Sequence, residues 1–301
     1  MKPITNVDAR AVDFRNEHVL YVEGNKESID VEALKTLLGN VLEIQPLGTS
    51  SSVSSVAHSL YPTHPKSYFL IDRDHHISDA QVDTYWQNFP DPNTSNLLVW
   101  RRKEFENYFL EPSFLIESSY CKAEFKANNG QQLQERITSL AQEWLYFDTA
   151  NYVIVSLREE FRRQWIEKFS DHLKFPDKPS ALKQLTEKTE FKAFSEKVLQ
   201  QTATGEITTR FHEYLDKMTG GTEPLQWGVG QWLEMLSGKS MFNELINQCF
   251  HVKNQEGRVL QGKEARNLVA RELLQTGQKN LPRDLRELKE LVDKRVARES
   301  P

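Results

Sequence analysis

Three groups of carboxylates are spaced so that they could act together. Glu23 stands in Val22-Glu23-Gly24, where the apolar run HVLYVEG ends. Asp72 and Asp74 flank Arg73 just after the apolar run SYFLI. Glu104 and Glu106 follow the run NLLVW, inside RRKEFENYFL. Asp72 and Asp74 are spaced i, i+2, as are Glu104 and Glu106, so on extended backbone each pair points one way. Carboxylates that converge repel one another unless a cation neutralises them. A hard divalent ion with oxygen ligands, Mg²⁺ or Mn²⁺, suits such a set. Glu27 lies a turn beyond Glu23 and is a further candidate ligand.

Cations stand beside these acids. Lys26, Arg73, Arg101, Arg102 and Lys103 could clamp phosphate oxygens, or could balance part of the acidic charge. His75 and His76 follow Asp74 directly, but an Mg²⁺ site has no need of them. Gly238-Lys239-Ser240 has the tail of a phosphate-binding loop. The earlier glycine expected near residue 233 is missing and no strand precedes it, so ATP binding is not expected there. Arg158, Arg162, Arg163 and Lys168 could form a basic helix face for RNA or a solvated one.

The elements that must position these groups follow from periodicity. Short apolar runs predict strands at 18–24, 41–47, 67–72 and 96–100. Between them, helical spacing predicts helices at 27–38, 53–60 and 78–89, the last with Ser78 as N-cap. Alternating strands and helices imply right-handed crossovers and an α/β fold with a mainly parallel four-stranded sheet. In such sheets ligands bind beyond the carboxyl ends of the strands, where all three carboxylate groups fall.

The pattern changes after a loop region at 111–130, marked by Pro112, Asn128, Asn129 and Gly130. Helices are predicted at 133–145, 152–169, 181–199, 210–218, 230–236, 240–250, 263–274 and 282–296. Trp144, Phe161, Trp165, Phe191, Trp227, Trp232 and Phe242 are expected mostly in the core. Two domains result: an α/β catalytic domain over 1–115 and a mostly α-helical C-terminal domain over 116–301, for substrate, dimer or partner contacts.

Val-Glu-Gly after the first strand, the Gly48/Ser turn after the second and Asp-x-Asp after the third resemble a Toprim domain over about residues 17–110. RRKEFENYFL is similar to the Glu-Asn-Tyr signature of stand-alone Toprim proteins encoded beside ABC-type ATPases in anti-phage operons, of the overcoming-lysogenisation-defect (OLD) kind. In length and layout the chain is similar to the Toprim effector nucleases of PARIS-type defence systems. The helix opened by Ser237-Gly238-Lys239 extends the likeness into the second half.

The resemblance implies a Rossmann-like Toprim fold and a Mg²⁺- or Mn²⁺-dependent endonuclease. Glu23, Asp72 and Asp74 would be catalytic metal ligands. Glu27 would be a further ligand, and Glu106 would complete a second metal site or orient the attacking water. Glu104 is not required by the pattern. The resemblance also implies RNA as substrate, tRNA among the candidates. A partner ABC-type ATPase would hold the enzyme inactive until phage sensing, and the free enzyme would be a homodimer.

Two other readings compete. A topoisomerase or primase would need a separate tyrosine-bearing domain or a zinc module. Cys121 and Cys249 form no CxxC, and Tyr108 reads as structural within Glu-Asn-Tyr. A non-catalytic module that binds the ATPase is the third reading, and the joint presence of Glu23, Asp72 and Asp74 argues against it.

Composition sets the outer bounds. The net charge of −5 resides entirely in residues 1–110, with 10 Lys+Arg against 15 Asp+Glu; the remaining 28 of each sign balance. An acidic half fits a site that needs cations, and equally an acidic surface. No apolar run approaches the roughly 20 residues needed to cross a bilayer. The polar N-terminus lacks the apolar stretch of a secretory signal. Two distant cysteines suggest neither a disulfide framework nor a zinc site, so a cytoplasmic location is expected.

Overall fold

A computed structural model describes residues 18–25, 28–39, 41–60, 63–74, 77–90, 96–162 and 176–297. Four strands form one parallel sheet: β1 (Val19–Val22), β2 (Glu43–Pro46), β3 (Ser67–Ile71) and β4 (Leu97–Val99), in spatial order β2-β1-β3-β4. Val19 pairs with Glu43 on one side and Ser67 on the other, and Phe69 pairs with Leu97. All four carboxyl ends therefore face one edge. β1, β4 and all of β3 after Ser67 are buried. Burial on both faces explains why these strands read as continuous apolar runs rather than alternating ones.

Helices α1 (Ile29–Leu38), α2 (Ser50–Leu60) and α3 (Asp79–Asn88) connect the strands. The α3 N-terminus is fixed as expected: Ser78 accepts from the Gln81 N–H while the Gln81 side chain accepts from the Ser78 N–H. This reciprocal pair satisfies two otherwise orphaned donors.

The region expected to be a loop at 111–130 contains short helices instead. α4 (Pro112–Leu115) and α5 (Ala123–Lys126) precede a 3₁₀ turn at Ala127–Gly130. Another 3₁₀ turn, Phe105–Phe109, carries the Glu-Asn-Tyr residues.

The helical half follows. α6 runs unbroken over Gln131–Arg162, where two helices were expected. The intervening Asp148 and Thr149 are buried rather than solvated. Thr149 Oγ1 donates to the Leu145 carbonyl at 2.7 Å, and Asp148 accepts from Lys103 Nζ at 3.2 Å, so polar residues continue the helix inside the protein. The single helix expected at 181–199 is two, α7 (Lys178–Thr186) and α8 (Thr189–Gln201). α9 (Thr204–Thr219), α10 (Trp232–Met235), α11 (Gly238–Cys249), α12 (Gly262–Thr276) and α13 (Arg283–Ala297) complete it.

One buried cluster runs through both halves. α12 packs on α1, α9 on α6, and α11 on the Phe105–Phe109 turn. Trp232 and Phe242 are core residues, and Trp144 and Trp227 pack against the core half-buried. Phe161 is half-buried, while Phe191 lies on the surface at 44% exposure, unlike the core position expected. Trp165 falls outside the described residues. Among the described residues no helix is long and apolar enough to cross a membrane.

Candidate active site

The carboxyl edge of the sheet is held together by backbone geometry. Gly24 has φ +106°, which a side-chain-bearing residue rarely adopts. Its N–H donates to the Gly48 carbonyl at 2.7 Å, and the Gly48 N–H returns a bond at 3.2 Å. This two-way bridge ties the end of β1 to the end of β2. A Cβ on Gly24 would stand 3.0 Å from Ser28 Oγ, so the glycine also lets the start of α1 close over the edge. Glu23 then accepts from the Asp72 N–H at 3.4 Å, and Asp74 accepts from Ser50 Oγ at 3.3 Å. Glu23 thus lies against the Asp72 backbone and within electrostatic reach of the Asp72 and Asp74 carboxylates.

Asp30 joins them from the first turn of α1. It was not foreseen, because an acid in a first helical turn is ordinarily explained by the helix dipole. Here it is drawn inside: burial pushes its carboxyl up to about 6, with the charges of Glu23 and Glu104 adding to the shift. Glu106 is 1% exposed. Burial pushes it up to about 8, helped by the charge of Asp30. Burial also holds Asp72 well above the carboxylate range, followed by Asp30 and then by Glu23 and Glu106. Glu23 is raised by burial, against hydrogen bonds from the Asp72 and Ser50 backbone. Asp30 Oδ1 and Glu106 Oε2 are buried without a hydrogen-bond partner among the described residues.

A cation reaches this cluster from the far half of the chain. Lys239 Nζ lies 3.4 Å from Asp72 Oδ2. Burial would lower its ammonium; the charges of Asp72, Glu106, Glu104 and Asp30 outweigh burial and hold it above its ordinary value. The Phe105–Phe109 turn sets its position. Asn107 Nδ2 donates to the Leu233 and Leu236 carbonyls, both at 2.9 Å. Gly238 packs so tightly on Asn107 that a Cβ would stand 2.4 Å from Asn107 Oδ1. Glu104 accepts from the Lys239 backbone N–H at 2.8 Å, and Asp148 from the Ser237 N–H at 2.7 Å. Glu104 therefore caps the start of α11 and aims Lys239. The only sequence signal for Lys239 was its Ser-Gly-Lys setting.

The chain matches no family model, no curated protein and no solved structure. The donors of the site are all carboxylate oxygens, and two buried ones are unpartnered among the described residues, which fits a hard divalent ion. Among the described residues, however, no group of three or more His, Cys, Asp or Glu side chains is arranged to hold a metal ion. An ion would enter only with side-chain rotation of the carboxylates around Lys239. Glu27, Lys26, His75 and His76 lie outside the described residues.

Of the cations expected to clamp phosphate, the four among the described residues each have a carboxylate partner. Arg73 pairs with Asp79 and also donates to the Arg101 carbonyl at 2.9 Å. Arg101 bridges Asp284 and Glu287 on α13, both at 2.9 Å, and lies 3.8 Å over the Trp86 ring. Arg102 pairs with Glu111. Lys103 pairs with Asp148 at 3.2 Å. Tyr108 is buried and donates to Asp284 Oδ2 at 3.0 Å. Burial, followed by the Asp284 charge, holds its phenol well above the ordinary value, so it is a structural tyrosine with no access to a phosphodiester. Arg158 and Arg162 are exposed beside Glu159, while Arg163 and Lys168 lie outside the described residues.

Proposed function

We propose that this chain is a Toprim-type, metal-dependent phosphodiesterase that cuts nucleic acid. The observation that carries this reading is the cluster of Glu23, Asp30, Asp72 and Glu106 at the carboxyl edge of the sheet. All four carboxyls are held above their ordinary values, with Lys239 as a shared cation. Unpartnered buried acids cost stability, and perturbed carboxyls concentrated in one place are a mark of functional sites.

Glu23, Asp72 and Asp74 would hold Mg²⁺ or Mn²⁺, with Asp30 and Glu106 completing the acidic wall. When bound, such an ion supplies charge neutralisation at the scissile phosphate and a water of lowered pKa. Lys239 would turn from the carboxylates to a phosphate oxygen, and Glu104 and Asn107 would keep it in place. Glu106, whose carboxyl burial pushes up to about 8, could take a proton from water only once a cation lowers its pKa.

The likeness of Val22-Glu23-Gly24, Asp72-Arg73-Asp74 and Glu106-Asn107-Tyr108 to stand-alone Toprim proteins supports a finer reading. In it, the enzyme is the toxic effector of an anti-phage system, cutting host RNA such as tRNA. An ABC-type ATPase partner holds it inactive until phage sensing, and it acts as a homodimer.

A second reading is favoured by the lack, among the described residues, of a ready three-ligand group. In that case Lys239 is the permanent counter-ion and the chain is a non-catalytic binding module. Purified protein with Mn²⁺ or Mg²⁺ and single-stranded RNA or DNA separates the two. Metal-dependent cutting that is lost in Glu23→Ala and Asp72→Asn supports the enzyme; equal cutting by those variants and the wild type rules out this site.

A further inference from the structure

A cavity of about 360 Å³ opens beside the acid cluster, and Asp74 belongs to both. That volume lies in the range of small-molecule sites. Its walls combine the Tyr152 and Tyr214 rings, whose centroids are 5.3 Å apart, with Arg73, Lys217 and Glu234. The cations are committed elsewhere: Arg73 to Asp79 and to the Ile77 and Arg101 carbonyls, and Lys217 to Asp79 at 3.3 Å. Glu234 differs. Its carboxylate has no hydrogen bond or ion pair among the described residues, although it is half-buried. Glu159 and Glu160 also line the cavity but are paired with Arg162 and Arg210, so Glu234 is the open acceptor beside the aromatic rings, which suits a flat ligand bearing donors and repels a free phosphate.

We propose that this cavity seats an unpaired nucleobase of the substrate, guanine by preference, next to the scissile phosphate. Guanine presents adjacent N1–H and N2–H donors, which a carboxylate accepts side by side; uracil presents one donor. Aromatic walls hold a splayed-out base whatever its sequence, and polar groups at its edge select among bases. A duplex cannot deliver a base into such a recess without unpairing, so the substrate would be single-stranded or extruded there. The proposal rests on the phosphodiesterase reading for its placement beside the cut, but not for base binding itself.

Two measurements keep those separate. The first is equilibrium binding of guanosine and uridine 5′-monophosphates in EDTA to the wild-type chain, Glu234→Gln and Tyr214→Ala. The second is the mapping of cut positions on a mixed-sequence single-stranded RNA with Mn²⁺. The expected result is about tenfold tighter binding of the guanosine nucleotide. That preference should vanish in Glu234→Gln, and both nucleotides should weaken in Tyr214→Ala. Cuts should cluster beside guanine in the wild type and lose that bias in Glu234→Gln. Equal affinity for the two nucleotides, or a preference unchanged in Glu234→Gln, would overturn the base pocket even if the RNA is cut. A guanine preference without any cutting would keep the pocket as a base site and count against the phosphodiesterase reading alone.

Discussion

Two charged regions meet near the carboxyl edge of the sheet, and they are built on opposite principles. Around Arg73, Arg101, Arg102 and Lys103, every cation has a carboxylate partner, and Arg101 has two. Across from them, Glu23, Asp30, Asp72 and Glu106 crowd around Lys239, and two oxygens of that group have no partner among the described residues. Paired buried charges fasten elements together. Buried acids in excess of their counter-charge do the reverse, because each disfavours ionisation of the others. The paired set locks α13 and α6 to the sheet, whereas on the proposed reading the unpaired set would take an outside cation.

Substitutions on the two sides should therefore fail in different ways. The largest effect is expected from Asp72→Asn, which should lower metal-dependent cleavage by about 10²–10³-fold. Its melting temperature without metal should not fall, since one of the mutually repelling acids is gone. Arg101→Ala should do the opposite. It strands Asp284 and Glu287 and should cost about 1–3 kcal/mol in urea unfolding, while cleavage per folded molecule stays the same. Initial rates and denaturation curves on both variants check the pair; a stability loss in Asp72→Asn matching that of Arg101→Ala would erase the distinction.

The same contrast has a pH signature. Carboxyls whose folded pKa is raised hold their protons more tightly in the native state. Their contribution to stability is full below the ordinary carboxylate range and is lost as pH rises through about 6 for Asp30 and about 8 for Glu106. In EDTA, the melting temperature should fall as pH rises across that window, and Glu106→Gln should flatten its upper part. A melting temperature independent of pH there in the wild type would show that the acids are not under strain.

Asn107→Ala should produce a mixed loss. It frees the Leu236 carbonyl in the interior and should cost about 1–3 kcal/mol. It should also weaken cleavage, by loosening the turn that presents Lys239. Rates and unfolding curves on this variant should both move; an effect on stability alone would mean that Lys239 has no part in the chemistry. The smallest effect is expected at the exposed pair of Arg258 and Glu264, 3.5 Å apart. Arg258→Ala should change unfolding free energy by no more than about 0.5 kcal/mol, with cleavage unaltered.

Much of this contrast was open to sequence reasoning on one side and closed on the other. The strand ends that carry Glu23 and Asp72 were legible because fully buried parallel strands leave uninterrupted apolar runs. Glu106 was legible from its place after the fourth run. Asp30 was not, since Glu104 and Lys239, which stand near it, come from segments far along the chain. Lys239 was hidden for the same reason: it lies beside Asp72 in a segment that Asn107 holds through the Leu233 and Leu236 carbonyls. The α6 helix was divided because Asp148 and Thr149 look solvent-loving, and their buried partners lie in the Phe105–Phe109 approach and within the helix itself. Pairing across the chain, rather than local propensity, decided each of these.

The acid cluster is proposed as the seat of a divalent cation. Isothermal titration of Mn²⁺ into the wild-type chain and into Asp72→Asn, at a pH above 8 so that Asp30, raised to about 6, and Glu106, raised to about 8, are ionised, tests that proposal. Binding to the wild type should be saturable, should weaken as pH is lowered and should be lost in Asp72→Asn. No binding to the wild type, or binding of equal strength in both proteins, would contradict it and leave Lys239 as the cluster's own counter-ion.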